Sequence, residues 1–414
     1  MTKIAIIGGG ASGLACAIEL LHNVKDKNQI EVTILEKLPR VGKKILVTGN
    51  GRCNLTNMNS AERGFRGDTA FSQYALREYT PEKNIEFFNK LGLYTREEDE
   101  GRVYPLSNQA ASVLDALRFE CERLGVKTIC DYRAVHLKTI DTGVTQKIVI
   151  NNRDRFDFVV VACGGKAAKV HGTDGDGYDM LKMFGHTIIS PAPALVSLNC
   201  DEFTKALKGV RSICKMDLII NGEKELDNYG EVQFTDYGLS GIPIMQLSRF
   251  VSVSPSNDIK INLDVTPDFT KEQIWEYLVS RRNVDTGLCE NLLSGIMNKQ
   301  LCITLLKECQ VAVNKRVNTL TDDELKRIAK IIKNWEIKIK NSRSFDYAQV
   351  TAGGVDCKEF NDETMESIFV KNLFCCGEVF NVDGDCGGYN LQWAWSSGRL
   401  VGKTIGERIN NAQN

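Results

Sequence analysis

The first apolar run of the chain, Ile4 to Ile7, is short, continuous and flanked by polar or glycine residues, the signature of a strand buried on both faces. It stops at a glycine-rich break, GGGASG (8–13), after which Leu14, Ala17, Ile18 and Leu21 recur at i, i+3, i+4 and i+7. That spacing predicts a helix with one apolar face. A second strand is predicted over IEVTILE (30–36). Strand and helix alternate to about residue 190, where DFVVVACGG (157–165) reads as a buried strand running into a glycine turn. Alternation of this kind predicts an α/β fold of the Rossmann type.

Beyond that point the pattern changes. Five of the eight prolines lie between Pro191 and Pro267, among short runs such as MDLIING (216–222), EVQFTD (231–236) and DIKINLDV (258–265). These predict a small all-β unit with frequent turns. Residues 268–337 hold no proline and two glycines, and FTKEQIWEYLVS and TDDELKRIAKIIKNW carry helical spacing, with Thr321 and Glu324 set for a capping box. From residue 345 the first pattern resumes. LFCCGEVF is an apolar strand broken at Gly377, GDCGGYN is a glycine-rich turn, and NLQWAWSSGRLVGKTIGERI puts Leu391, Ala394, Trp395, Gly398 and Val401 on one helical face. The expected organisation is a discontinuous domain, 1–190 plus 345–414, interrupted by a β-rich insert at 191–267 with 338–344 and a helical insert at 268–337.

The glycines carry the first chemistry. Gly8, Gly10 and Gly13 stand in G-x-G-x-x-G spacing between a strand and a helix, the context that distinguishes a dinucleotide-binding turn from a chance run of glycines. The first permits the tight turn, the second lets backbone approach a pyrophosphate, and the third lets helix pack on strand. Glu36 ends the second strand 23 residues after Gly13, where an acid binds ribose hydroxyls rather than a 2′-phosphate. The strand, turn and helix at 373–410 supply a second helix N-terminus. Two such starts suit a long cofactor with a pyrophosphate at one end and a ring system at the other, which favours FAD over NAD.

Composition narrows the classes. With 52 basic and 53 acidic residues the net charge is −1, so no global field draws in nucleic acid or an anionic membrane. Apolar stretches such as FVVVAC (158–163) fall far short of the roughly 20 residues of a membrane helix. MTKIAIIGGG lacks the features of a secretory signal, so a cytoplasmic protein away from membranes is expected. The fourteen cysteines include no C-x-x-C and no C-x-x-x-x-C pair, which fits a reducing compartment and speaks against a zinc ribbon or a redox-disulfide relay. Four histidines without ligand spacing give no metal site.

The segments GGGASGL (8–14), KKILVTGNGRCNLTN (43–57), GRVYPLSNQAASVLDAL (101–117), GTDGDGYDMLKMFGH (172–186), PAPALVSL (191–198), FTDYGLSGIPIMQLS (234–248), VTAGGV (350–355) and CGEVFNVDGDCGGYNLQWAWSSG (376–398) resemble those of a known family. It is the BaiN/YhiN-type NAD(P)/FAD-dependent oxidoreductases, also called aminoacetone oxidase family FAD-binding enzymes. The resemblance covers essentially the whole chain and rests most firmly on its last segment. It implies a discontinuous FAD domain of the glutathione-reductase type interrupted by a β-barrel-like unit and a helical unit.

Residue roles follow from that resemblance as expectations. Gly8, Gly10, Ala11, Ser12 and Gly13 would cradle the pyrophosphate, with Glu36 and Lys37 at the ribose. Lys44, Gly51, Arg52, Cys53 and Asn54 would line the pyrophosphate and the flavin edge. Ala162, Gly164 and Gly165 would back the adenosine, and the backbone at Val135 would meet adenine. Asp383 would bind the ribityl chain, Gly387 and Gly388 would keep the backbone close to the ring, and Tyr389, Asn390 and Leu391 would open the last helix; Gly377 and Glu378 match the cofactor site too, with a hinge role as the alternative for Glu378. Arg52, Tyr389 and Asn390 are the catalytic candidates, Arg52 as the cation that steadies charge at N1/O2 of reduced flavin or a substrate carbonyl or carboxylate. Cys53 has no histidine placed to activate it and reads as packing. His171 is a candidate acid or base, against a capping or surface role; Tyr104 and Tyr237 are pocket candidates that packing explains equally well.

The expected function is hydride transfer through flavin N5 to or from a small organic substrate, with NAD(P)H or oxygen as redox partner. No second G-x-G-x-x-G follows a strand, so NAD(P)H would be a transient co-substrate. Two alternatives stay open: a structural or redox-sensing FAD whose insert binds a macromolecule, and a flavin-dependent RNA-modifying enzyme, which wants a basic face. Oligomeric state is not encoded in any of these patterns.

Overall fold

The computed structural model describes residues 1–60, 63–141, 143, 146–200 and 202–412, with backbone alone at 202–204. The chain divides into two compact units, Met1–Ala192 with Gln349–Asn414, and Pro193–Ala348.

In the first unit five parallel strands form one sheet, in the order Leu373–Cys375, Phe158–Val161, Thr2–Ile7, Ile30–Leu35, Lys127–Ile129. The central strand is the apolar run that opens the sequence, and Ile4, Ala5 and Ile6 are wholly buried in it. Continuous apolar composition is what a parallel strand covered on both faces needs. The helix Ala11–Asn23 buries Leu14, Ala17, Ile18 and Leu21, as its spacing predicts, and packs along the C-terminal helix Tyr389–Ala412. Gly398, Gly402 and Gly406 form a stripe at i, i+4 and i+8 facing Ser12, Cys16 and Asn23 in turn, so the two helices run parallel. A Cβ at Gly398 would stand inside contact distance of Ser12 O, which is why that seam carries no side chain.

The second unit is built on a closed barrel of six antiparallel strands, in the order Leu198–Cys200, Gly238–Ser240, Glu223–Phe234, Arg211–Ile220, Ile259–Asp264, Trp335–Ser342. Leu198 pairs with both Leu239 and Ser342, which closes the ring and removes its edges. Ile259, Ile261 and Leu263 alternate inward with period two. The helices Lys271–Val284, Lys299–Glu308 and Asp322–Lys333 share this barrel's apolar core through Leu278, Leu305 and Ile328. Thr321 and Glu324 form the predicted capping box.

Two local readings differ. The stretch expected to be all β contains the helix Ile242–Val253, because Ile244, Leu247, Ser248 and Val251 are buried at i, i+3, i+4 and i+7. Helical spacing through KNW overshoots as well. The helix ends at Lys333, and Trp335, Ile337 and Ile339 alternate with exposed Glu336, Lys338 and Lys340 as a barrel strand. Among the described residues no helix is long and apolar enough to cross a membrane.

Candidate functional site

The sheet register fixes where the chemistry is delivered. Ile7 is matched laterally with Leu35 and with Val161, Val161 with Cys375, and Leu35 with Ile129, so all five strands end level. Gly8, Glu36, Ala162 and the Cys376–Gly377 pair therefore leave the sheet side by side at its C-terminal edge. Open parallel sheets bind their ligands at that edge.

The three motif glycines are not equivalent. Gly8 has φ +110° and a Cβ there would lie 2.5 Å from Ala162 O. A Cβ at Gly13 would collide with Gly8 O. Both glycines are demanded by the fold. Gly10 has φ −86°, and an added Cβ would meet nothing within 4 Å. Nothing in the chain itself asks for glycine there, so the feature points to a ligand that approaches the backbone. Gly10 is also the N-cap of Ala11–Asn23 and supplies no side-chain cap, which leaves the first amides, those of Ala11 and Ser12 among them, at the positive end of the helix dipole.

Glu36 is buried, and its carboxylate braces the turn: Oε2 accepts the Gly9 N–H at 2.9 Å and Oε1 accepts that of Leu38 at 2.9 Å. Each oxygen keeps a lone pair for a hydroxyl donor. Lys37 turns into a charge cluster with Asp174 and, at 2.9 Å, Asp176, which Arg133 also holds at 2.6 Å. Burial works to lower the Lys37 pKa, but the two carboxylates outweigh it and hold it above the ordinary value.

Gly165 packs on Thr351, whose Oγ1 accepts the N–H groups of Lys166 at 2.8 Å and Ala167 at 3.0 Å. The Thr351 N–H donates to Glu378 Oε1 at 2.8 Å, and Glu378 Oε2 takes Lys44 Nζ at 2.8 Å. Lys44, Gly165, Thr351 and Glu378 thus form one connected set. Thr351 has no mark in the sequence beyond its place as the second residue of VTAGGV. Gly164, at φ +70°, turns the chain against Thr173. His171 lies close enough to Lys43 and Lys44 to feel their charge; burial first, then those two cations, hold its pKa low, and among the described residues its buried Nδ1 has no partner. Val135 is exposed, and the N–H expected to meet adenine donates instead to Asn151 Oδ1 at 3.0 Å.

The second glycine turn is held by the loop after Lys44. Gly49, Asn50, Gly51 and Cys53 all take positive φ there. Asn57 Nδ2 donates to Gly387 O at 2.9 Å, and a Cβ at Gly388 would stand 2.9 Å from Asn54 Oδ1. Asn54 is 7% exposed and among the described residues that oxygen has no hydrogen-bond partner, a buried acceptor whose missing donor a ligand N–H or O–H can supply. Asp383 is buried in the short strand Val382–Gly384, which pairs with Phe65–Gly67. Gly377 sits against Ser12; its N–H donates to Ser397 Oγ at 2.9 Å and its carbonyl accepts Trp393 Nε1 at 3.0 Å.

The three catalytic candidates have partners within the protein. Asn390 staples the turn, accepting the Gly384 N–H at 2.9 Å and donating to its carbonyl at 2.7 Å. Tyr389 is buried edge-on against Phe65, with ring centroids 5.8 Å apart. What these residues and Leu391 offer a ligand is the backbone of a helix start. Arg52 is no lone cation: Glu98 lies 2.5 Å from its guanidinium and Asn108 2.8 Å, and it lies 4.0 Å over the Tyr104 ring. Cys53 is fully buried and its thiol is pushed up to about 12 by that burial, so it is not a nucleophile near neutral pH.

Helix register joins the two poles. Ser12 faces Gly398, nine residues into Tyr389–Ala412, so the start of that helix lies about 14 Å beyond Ser12 at 1.5 Å per residue. Two helix N-termini pointing the same way, staggered by that length, fit an elongated dinucleotide. The uncapped amides at Gly10, the braced acid Glu36 and the orphaned acceptor of Asn54 supply donors and acceptors suited to FAD.

A family model described as the HI0933-like protein Rossmann domain matches residues 2–404. The 3-dehydro-bile acid delta(4,6)-reductase of Clostridium scindens is 37% identical over 99% of this chain and 100% of its own. The ribosomal RNA dihydrouridine synthase of Haemophilus influenzae is 28% identical over 95% of each chain. Among solved structures, 3-ketosteroid-delta4-(5alpha)-dehydrogenase from Rhodococcus jostii superposes with a TM-score of 0.46 at 16% identity, over 100% of this chain and 97% of its own.

Proposed function

The chain belongs to the HI0933-like Rossmann-domain family and is a flavin-dependent oxidoreductase, and on that premise we propose that it reduces a carbon–carbon double bond conjugated to a carbonyl. The observation that supports the cofactor most directly is the pair of parallel, staggered helix starts at the level C-terminal edge of the sheet. Support for the substrate class comes from the relatives' names. A bile acid delta(4,6)-reductase and a dihydrouridine synthase both describe saturation of an alkene activated by a carbonyl.

FAD, when bound, supplies an N5 that accepts and donates hydride. The chain's residues supply the rest. Gly8 to Gly13 and the first helix amides would hold the diphosphate, Glu36, already braced by the Gly9 N–H, would take ribose hydroxyls, and Ala162 to Gly165 would back the adenosine, with the Lys44–Glu378 pair alongside. Gly377 and Asp383 would follow the ribityl chain, and the Asn54 Oδ1 would accept an N–H of the ring. The amides at Gly388 to Leu391 favour negative charge on the reduced ring. NADH or NADPH serves as a transient reductant, because the first unit offers one glycine-rich dinucleotide turn of this spacing.

The test is an absorbance spectrum of the purified protein, then anaerobic titration with NADH and NADPH, then addition of 2-cyclohexenone. Flavin bleaching by a nicotinamide and recovery on adding the enone is expected. A colourless protein that takes up no FAD overturns the cofactor reading. Bleaching that no conjugated alkene reverses overturns the substrate reading, and flavin inert to both nicotinamides favours a sensing role. Reduction of a uracil ring in RNA is the second reading, carried by the 28% identical relative; salt-dependent RNA binding with dihydrouridine formation would establish it.

A further inference from the structure

Arg343 follows directly on the barrel strand Trp335–Ser342, and its guanidinium lies over two tyrosine rings. Its Cζ lies 3.3 Å from the Tyr347 ring centroid and 4.2 Å from that of Tyr237. The backbone is fixed too, the Arg343 N–H donating to Ser197 O at 3.0 Å. Among the described residues Arg343 forms no ion pair. Asp236, the acid that feels its charge, is already paired with Lys208 at 2.7 Å.

Surface arginines are commonly either mobile in water or neutralised by an acid. Arg343 is neither. Rings this close to a guanidinium shed water from it and restrict its rotamer, and among the described residues no acid pairs with its N–H edge. Hydroxyls gather around the same rim: Tyr237 Oη donates to Ser197 Oγ at 3.4 Å, Ser197 and Ser240 share a hydrogen bond at 2.9 Å, and Ser252 donates to Ser342 at 2.7 Å. Tyr347 is 59% exposed, so the cluster opens to solvent.

We propose that this barrel rim is an oxyanion-recognition site, with Arg343 binding two oxygens of an organic carboxylate or phosphate through its N–H edge. A preorganised fork engages such a pair bidentately, with little further ordering to lose. The tyrosine rings flank the organic part of the ligand. Two sources share this chemistry, a substrate carboxylate and the 2′-phosphate of a nucleotide.

Isothermal titration of the full-length protein with cinnamate, cinnamamide and 2′-AMP tests it, with flavin content and melting temperature measured on the same samples. An anionic probe is expected to bind, and Arg343→Gln to weaken it at least tenfold while leaving cinnamamide unchanged. Arg343→Lys keeps the charge without the fork and should fall between the two; Tyr347→Leu should weaken the anion several-fold. Cinnamate binding identifies the source as a carboxylate, and binding of 2′-AMP alone identifies a nucleotide phosphate. Failure of both anions to bind, or equal binding by parent and Arg343→Gln, overturns the site. These measurements read a site within the barrel unit of the whole chain, so their failure leaves the flavin reading standing.

Discussion

Gly10 gives the sharpest test of the cofactor site, because it separates what the fold requires from what a ligand requires. Its φ of −86° is open to any residue and a Cβ would meet nothing within 4 Å, so Gly10→Ala should fold with stability within about 1 kcal/mol of the parent. The same methyl group fills the space through which a pyrophosphate would reach the helix amides. Losing one charge-assisted hydrogen bond and part of the dipole interaction costs about 3–4 kcal/mol, roughly two to three decades in FAD affinity. Gly13→Ala is the contrast: its Cβ meets backbone at Gly8 O, so the chain should lose about 3 kcal/mol or more of stability before any ligand is considered. The assay reads three quantities on each variant: flavin-to-protein ratio on purification, FAD affinity of the apoprotein, and melting temperature. Gly10→Ala should melt like the parent and purify largely without flavin, and Gly10→Val should show the same more severely. A Gly10→Ala protein that keeps both parental melting and parental FAD affinity would falsify the phosphate role of this turn.

Three further outcomes follow from the same geometry. Glu36→Gln leaves one acceptor where two backbone N–H groups now bond, so melting should drop by the equivalent of about 1–3 kcal/mol along with weaker FAD binding; unchanged melting would refute the bracing role. Cys53, its thiol held up to about 12, should resist iodoacetamide at neutral pH, and Cys53→Ser should retain turnover with bound flavin; lost turnover at full flavin content would show a chemical role that burial denies. His186 is stacked on Phe360 and bonded to Glu359 and Ser367, each at 2.9 Å; burial lowers its pKa more than Glu359 raises it. The unfolded chain then binds the extra proton, so this contribution is complete above the ordinary histidine value of about 6.5 and is lost as pH falls through the lower folded value. Melting measured from about pH 8 to about pH 5 should decline, less steeply in His186→Gln; parallel curves would place the acid sensitivity elsewhere.

Much of the first unit is legible locally because its signals are local. Continuous apolar runs mark the central strands, i, i+3, i+4 spacing marks the helices, and the glycine spacing with Glu36 marks a nucleotide turn without reference to any distant residue. Local patterns mislead where two periods compete. The helix Ile242–Val253 sits in a stretch that otherwise reads as β, and Trp335 fits both the helix before it and the strand it begins.

By itself, then, the sequence determined most of the strands and helices, those of the first unit above all, and which glycines and acids stand at their ends. Tertiary structure alone decided that five strands finish level, that Gly10 is the one motif glycine the fold can do without, and that Arg52 is already claimed by Glu98. It also decided that Glu378 joins Thr351 to Lys44 and that Arg343 lies over the rings of Tyr237 and Tyr347. The physical reason is range. Backbone periodicity is set by neighbours three or four residues away, whereas the charge, room and partners of a side chain are set by whatever the sheet order and barrel closure bring beside it from far along the chain.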